Sequence, residues 1–381
     1  MIYLDNAATT QVLPDVIKAV CEGMLYWGNP SSAYFWGRES KNIINQCRHQ
    51  IELNVGAPTN SLVFTASGSE SNSMAIKFGF MLGQRMGRNK ILVSSIEHKS
   101  VLQAAESLKE YGAIVKHIAV DRDGRIDTQD LCNNIDSNTA IVSVMTVNNE
   151  IGTIQDIESI SKIAKSHGAL FHTDAVQALP CNKNIFVSDA DFISISGHKI
   201  GAPKGIGGLI VHPSIHSDLK GKGLINGGEQ EFGLRAGTEN TPYIIAFSKA
   251  VTILDEKRTC VEQDLKNYAI KTISKEFPYI SFNGSLTPTL SSPSILNFAL
   301  HHVDGASVVD WMNFHNIYIS SGSACNTGSK SPSHVLTSIG LNEKDARSSI
   351  RISFSDRSSK KDIDQFICAL KTFEKRYISQ K

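Results

Sequence analysis

At 381 residues the chain is long enough to bury a large core and too long for one ordinary domain. Apolar residues make up 41% and charged residues 20%, with a formal net charge of +1, so the composition is globular and carries neither a basic nucleic-acid footprint nor an acidic tail. No run of about eighteen apolar residues offers a membrane span; the start, Met1-Ile2-Tyr3-Leu4-Asp5, lacks the features of a signal peptide; and seven cysteines without a Cys-x-x-Cys pair argue against a disulfide framework or structural zinc.

From about residue 60, short apolar runs alternate with helical patterns. Leu62-Val63-Phe64 precedes a Ser/Gly turn and an amphipathic stretch from Glu70 to Leu82. Lys90 to Ser95 and Ala113 to Val120 are strand-like, and Ala140 to Val147 is a continuous apolar run, the pattern of a strand buried on both faces. Helical spacing from Ile157 to His167 ends at Gly168, a C-cap signal. Ala169–His172, Phe192–Ser196 and Gly208–Val211 complete a set of seven strands. Strands alternating with helices predict an α/β domain, residues 1–250, with a mostly parallel sheet, its first ~15 residues being candidates to pack with the smaller domain instead. A long helical pattern from Ile244 to Glu276 then leads into strand-like pieces at Ile280–Phe282 and Ser294–Ala299, predicting a smaller α+β domain over 251–381. The basic end, Lys371 to Lys381, reads as a solvated helix end.

Ligands of parallel sheets gather beyond the carboxyl ends of the strands, so the polar residues that follow each run are the candidates for chemistry. Thr65-Ala66-Ser67-Gly68-Ser69-Glu70 opens a helix with small residues, which suits a phosphate and equally an ordinary N-cap. His98 follows a strand, where it can stack on a ring, shuttle protons or serve structure alone. Asn148-Asn149 can bind a ligand or make Asx turns. Asp174 closes a buried strand and needs a cationic partner, either a protonated pyridine nitrogen or an internal Arg or Lys. Ser196-Gly197-His198-Lys199, followed by Gly201, Gly205, Gly207 and Gly208, suits a Schiff-base lysine beside a phosphate; a surface lysine in a glycine loop is the bland alternative.

The order and spacing of these segments are specific. With Tyr3-Leu4-Asp5-Asn6-Ala7-Ala8-Thr9-Thr10, Asn29-Pro30-Ser31-Ser32, Glu97-His98-Lys99, Asn148-Asn149-Glu150-Ile151-Gly152, Asp174 with Gln177, Gly233-Leu234-Arg235-Ala236-Gly237-Thr238-Glu239-Asn240 and Ser321-Gly322-Ser323-Ala324-Cys325, the chain resembles the NifS/IscS-type cysteine desulfurases. These belong to the class V aminotransferase group of fold type I pyridoxal-phosphate enzymes. The likeness runs from residue 2 to about 354.

The resemblance implies a homodimer that uses pyridoxal 5′-phosphate, converts L-cysteine to L-alanine and passes sulfur to an acceptor protein. Lys199 would hold the cofactor covalently, Asp174 would pair with the ring nitrogen, and Gln177 would contact the phenolic oxygen. His98 would stack on the ring and handle protons. Gly68, Ser69, Ser196 and His198 would hold the phosphate, with Thr238 reaching the phosphate of the other subunit. Asn149 and Arg351 would hold the substrate carboxylate. Cys325, in a Ser/Gly-rich stretch that reads as a mobile loop, would carry the persulfide. No metal, membrane or direct nucleic-acid contact is expected, and the location expected is cytoplasmic. Iron–sulfur assembly, tRNA thiolation and DNA sulfur modification stay open as the destination of the sulfur. A lyase or transaminase preferring selenocysteine, and a catalytically weak docking platform, are the competing readings.

Departures from the family pattern are Tyr34 for histidine, Ser67 and Ser69 for glycine and threonine, and Ser355-Asp356 where a Gly-Arg pair is usual. The last exchanges a positive for a negative charge near the region of Arg351.

Overall fold

The structure, a computed structural model, describes residues 1–182, 184–254, 257–301, 303–321 and 331–377. Among them are thirteen strands: β1 (Ile2–Tyr3), β2 (Leu62–Thr65), β3 (Lys90–Ser94), β4 (Ile114–Ile118), β5 (Thr139–Ser143), β6 (Leu170–Asp174), β7 (Phe192–Ser196), β8 (Gly207–Val211), β9 (Ser281–Asn283), β10 (Ile295–Ala299), β11 (Ile317–Tyr318), β12 (Ser320–Ser321) and β13 (Ser349–Ser353).

The continuous apolar runs form the large sheet, as a strand covered on both faces must. Its order is β2-β8-β7-β6-β5-β3-β4, with every pairing parallel except the two made by β8. Successive residues serve opposite faces: Val142 and Leu92 join one apolar cluster, while Ile141, Ile91 and Val93 join another. The first cluster takes in residues of the helices Pro14–Gly23, Phe35–Val55, Ile157–Ser166 and Thr241–Thr252; the second takes in Gly68–Arg85 and Lys99–Ser107. The sheet is thus the middle layer of three, the fold type I architecture expected of the sequence. Gly168 follows the helix Ile157–Ser166 at φ 67°, a left-handed position that glycine occupies without a Cβ penalty.

The smaller sheet is antiparallel, β12-β13-β10-β9, with a core of its own that includes Phe298, Ile350, Phe354 and Phe366. β1 runs parallel to β11, and Ile2 and Leu4 enter that same core. These two strands form a sheet of their own, so the chain begins against the small core before it builds the large sheet.

The helical pattern from Ile244 to Glu276 is not one helix. It divides into Thr241–Thr252 and Lys257–Glu276, with Ile253 and Leu254 outside both. Leu254 is buried in the large-domain core, whereas Leu265, Ala269 and Ile273 pack in the small one. Two helices that serve different cores share a hydrophobic periodicity but not an axis. The strand patterns run longer than the strands: Ala113–Val120 shortens to β4, beyond which Val120 bridges to Ile126, and Ala140–Val147 to β5, beyond which Met145 and Asn149 line the site.

Candidate active site

Five parallel strands end on one side of the large sheet, and the segments leaving them converge there. Ten of the twelve residues singled out above line a single cavity of about 290 Å3: Gly68, Ser69, His98, Asn149, Asp174, Gln177, Ser196, His198, Lys199 and Arg351. Thr238 lies in a separate hollow with Phe64, Thr65 and Arg235. Cys325 lies outside the described residues; the chain reaches that segment from Ser321 of β12, next to Ser320, whose register partner is Arg351.

Asp174 ends β6 and is 4% exposed. Its carboxylate accepts from Val176 N–H at 2.9 Å and from Asn72 Nδ2 at 2.7 Å, and no ion pair to it occurs among the described residues. A buried carboxylate satisfied only by neutral donors is suited to a cationic ligand atom. At the other end, the helix Gly68–Arg85 points its N-terminus into the cavity beside Ser196, whose buried Oγ has no partner. A Cβ on Gly68 would stand 2.8 Å from Val176 Cγ2 and 3.3 Å from Ser196 Cβ, so the bare backbone keeps the cradle open. Free backbone donors, a helix N-terminus and an unpartnered hydroxyl make an anion site. Phosphate at one end and a pyridinium nitrogen at the other are what pyridoxal phosphate presents, so the residues fit that group.

His198 follows β7 and bonds Thr9 Oγ1 through Nδ1 at 3.2 Å; burial, then the neighbouring Lys199 and Lys204, push its pKa down to about 4. A neutral His198 donates or accepts at the phosphate end without adding charge. Lys199 donates to the carbonyls of Ala7 at 2.6 Å and Ala8 at 2.9 Å. Gln177 Nε2 donates to the same Ala7 carbonyl at 2.8 Å. The N-terminal segment that starts against the small core is therefore a wall of the cavity. Arg351, in β13, brings the small sheet in from the other side. Its Nη1 donates to Asn149 O at 2.7 Å and its Nη2 to Asp5 Oδ1 at 2.7 Å, while the buried Nε has no partner. A guanidinium held by two acceptors on the cavity wall, with a third donor unpartnered, is suited to a carboxylate.

The two adjacent amides after β5 separate in role. Asn148 is fully buried, and its Oδ1 accepts from the N–H groups of Glu150 and Ile151, an Asx turn that aims Asn149 at the cavity. Ser67, at the usual glycine position, sits at φ −171°, extended backbone open to any residue, and its hydroxyl caps the helix through Glu70 N–H. Asp356 is exposed and is not part of the cavity wall; its charge acts on Arg258 and Glu262, which form a buried ion pair at 2.6 Å. Cys181 lies in a turn, and burial pushes its thiol up to about 11.

Some contributors were missed. Asn72 lies one turn along the helix from Gly68, a spacing that puts it on the same face and could have revealed it. Glu97 is fully buried, accepts from Met145 N–H at 2.6 Å, and is raised well above the usual carboxylate range by burial. Glu150 accepts from Ser333 Oγ at 2.5 Å and is pushed up to about 7 by burial. Only tertiary contacts single these two out.

The model of the class-V aminotransferase family matches residues 2–366. A cysteine desulfurase of Nostoc sp. is 37% identical over 372 residues, 96% of this chain and 91% of the relative. Among solved structures, a NifS-like protein from Rickettsia africae superposes with a TM-score of 0.83 at 33% identity, covering 99% of both chains. SspA in complex with cysteine does so with a TM-score of 0.81 at 35% identity, covering 94% of this chain and all of that one. With a cavity shaped for pyridoxal phosphate and this likeness over nearly its whole length, the chain belongs to the class-V aminotransferase family and, within it, to the cysteine desulfurases.

Proposed function

We propose that the chain is a pyridoxal-phosphate-dependent desulfurase that takes sulfur from L-cysteine, releases L-alanine and holds the sulfur as a persulfide on Cys325. The observation that carries this reading is Asp174, buried and bonded only to neutral donors, in the wall shared with Lys199 and Arg351. When bound, the cofactor supplies an electron sink conjugated to the substrate α-carbon.

The protein's residues do the rest. Asp174 would hold the ring nitrogen, and Gln177 would reach the phenolic oxygen. Ser69, Ser196 and His198, with the helix N-terminus at Gly68, would hold the phosphate. Lys199 would tether the cofactor, and its amine is the base placed to take the substrate α-proton. Arg351 and Asn149 orient the substrate carboxylate. The Cys325 thiolate attacks the substrate sulfur: a sulfur–sulfur bond forms, the carbon–sulfur bond breaks, and its electrons remain with the carbon skeleton that becomes alanine once protonated.

The same reading makes the enzyme a homodimer with shared sites. Thr238 is exposed and away from its own chain's cavity, on a loop tied to the helix Phe35–Val55 by a Lys41–Glu239 pair at 3.1 Å. Beside that helix start, Leu25, Trp27, Tyr34, Phe35 and Trp36 are all between 49% and 73% exposed, an apolar surface suited to burial against a second copy. A cytoplasmic setting and a protein sulfur acceptor complete the proposal; the unpaired cysteines favour a reducing compartment.

The test is to incubate the protein with L-cysteine and a thiol reductant and to quantify alanine and sulfide. Wild type should yield both, and Cys325→Ala should lose at least 99% of the rate while keeping its cofactor absorbance. Full activity in that variant would overturn the assigned carrier and favour a lyase that needs no cysteine.

A further inference from the structure

His98 is assigned above by its place against the cofactor, but the structure also says where its proton sits. The residue N-caps the helix Lys99–Ser107: its Nδ1 accepts from the backbone N–H of Ser100 at 3.2 Å and lies 2.8 Å from Ser100 Oγ. Ser100 Oγ is in turn 2.9 Å from Asn72 Nδ2, and that nitrogen is 2.7 Å from Asp174 Oδ2.

The direction of each bond in this chain is forced. An ionised carboxylate only accepts, so the amide of Asn72 must turn its nitrogen toward Asp174. The second N–H of Asn72 then points at Ser100 Oγ, which accepts it and leaves its own O–H for Nδ1 of His98. Nδ1 thus receives a hydroxyl and a backbone N–H, and has no room for a proton of its own. Asn72 is 1% exposed, so water does not compete for these bonds. Nε2 has no protein partner among the described residues, and the ring lines the cavity.

We infer that Asn72 and Ser100 are positioning residues that hold His98 as the neutral tautomer protonated on Nε2, so that His98 faces bound substrate as a hydrogen-bond donor and not as a base. This rests on the desulfurase reading for its consequence, and on the hydrogen bonds alone for the tautomer. The charged and titratable groups around the ring are Asp174, which favours imidazolium, and Lys199, Lys99 and His334, which oppose it; burial is the largest influence and lowers the pKa. The helix N-terminus, with its outward N–H groups, acts in the same sense. With Nε2 already protonated, removal of the α-proton falls to Lys199, and His98 serves to polarise or steady a group across the cavity. Asn72 connects this choice to the residue facing the ring nitrogen, since one amide contacts both Asp174 and the Ser100 hydroxyl.

The test is nitrogen NMR of the full chain carrying ring-labelled histidine, as purified with its cofactor and again after cofactor removal, with His98→Gln identifying the signal. The expected result is a pyridine-type Nδ1 and a pyrrole-type Nε2 in both states at neutral pH. Ser100→Ala keeps the backbone N–H and removes only the hydroxyl. It should mix the tautomers and raise the His98 pKa, since a bond to the neutral form is lost. Ser100→Thr should restore the wild-type spectrum, which a merely structural loss would not produce. A protonated Nδ1 in wild type, or a spectrum indifferent to Ser100→Ala, would overturn the inference. Because the readout needs no turnover, failure of the desulfurase assay would leave it untouched, and its own failure would not disturb the assay.

Discussion

Gly68 shows how much one missing carbon decides. Alanine there would raise helix propensity by up to about 1 kcal/mol, because the position is inside the first turn. It would also push a methyl between Val176 and Ser196, at 2.8 and 3.3 Å from their carbons, where the phosphate is to be received. The propensity gain and the cost of displacing Val176 oppose each other in the melting temperature of cofactor-free protein, while Gly68→Ala should weaken cofactor retention roughly tenfold or more, about 1.4 kcal/mol. Dialysis against a cofactor scavenger, followed by absorbance, measures the second effect; equal retention in both proteins would remove Gly68 from the phosphate cradle. Residues of this kind were legible in the sequence because each follows a strand and carries unusual chemistry. Asn72 left only its four-residue spacing from Gly68 as a signal, and Glu97 and Glu150 left none, since a polar residue in a turn gives no sign of being buried until its neighbours are known.

Elements are locked together by buried charge at one point of the large domain. Arg48, in the helix Phe35–Val55, makes a bidentate pair with Glu231 at 2.6 and 2.7 Å, and its guanidinium lies 4.7 Å from the Phe64 ring centre and 4.9 Å from that of Phe232. Glu231 also accepts from Phe64 N–H at 2.7 Å, and Arg48 donates to the carbonyl of Leu62. Glu231 and Phe232 both adopt left-handed backbone, φ 48° and 61°, a strain that the ion pair holds in place at the start of the loop carrying Thr238. Arg48→Met strands a buried carboxylate and should cost about 3–5 kcal/mol in urea unfolding, while Arg48→Met with Glu231→Gln should recover much of it. Additive losses in the double variant would refute the coupling. Nothing in the sequence pairs residue 48 with residue 231, because ion pairs between distant elements leave no periodic signal. The long helix that breaks near residue 254 misleads for a related reason: periodicity reports that a face is buried, not which core buries it.

For the molecule as a whole, acid should be more damaging than its near-neutral charge suggests. His172 is fully buried in β6 between Ser143 Oγ at 2.8 Å and Ser194 Oγ at 3.0 Å, and burial lowers its pKa to about 3. Its unfolded value is about 6.5, so below that pH the unfolded chain takes up a proton that the native state refuses. The contribution is complete above about pH 6.5 and falls away toward pH 3, at about 1.4 kcal/mol per pH unit. Glu150, raised to about 7 by burial, works oppositely and loses native stability as pH rises from the usual carboxylate range toward 7. The two overlap in wild type, so the comparison is with His172→Asn, which can still bond a serine. Between pH 6.5 and 4.5 wild type should lose about 2–3 kcal/mol more than the variant, read from urea midpoints; parallel pH profiles would show that His172 titrates normally. At this scale a mostly parallel sheet covered by helices was legible from buried strands and helical crossovers, but not the order of its strands. The pairing of β1 with β11 was not legible either, being a contact across more than three hundred residues between two-residue strands.

The opening ten residues tie the two sheets to one amine. Ile2 and Tyr3 are bound to β11, Ser353 accepts from Ala7 N–H through its Oγ, and the carbonyls of Ala7 and Ala8 receive Lys199. A displacement of the small sheet would thus reach Lys199 through Ala7 and Ala8, as it reaches Asn149 through Arg351. Substitutions that loosen the small sheet, remote from the cavity, should therefore change how fast added cofactor attaches to Lys199, which the growth of its absorbance measures.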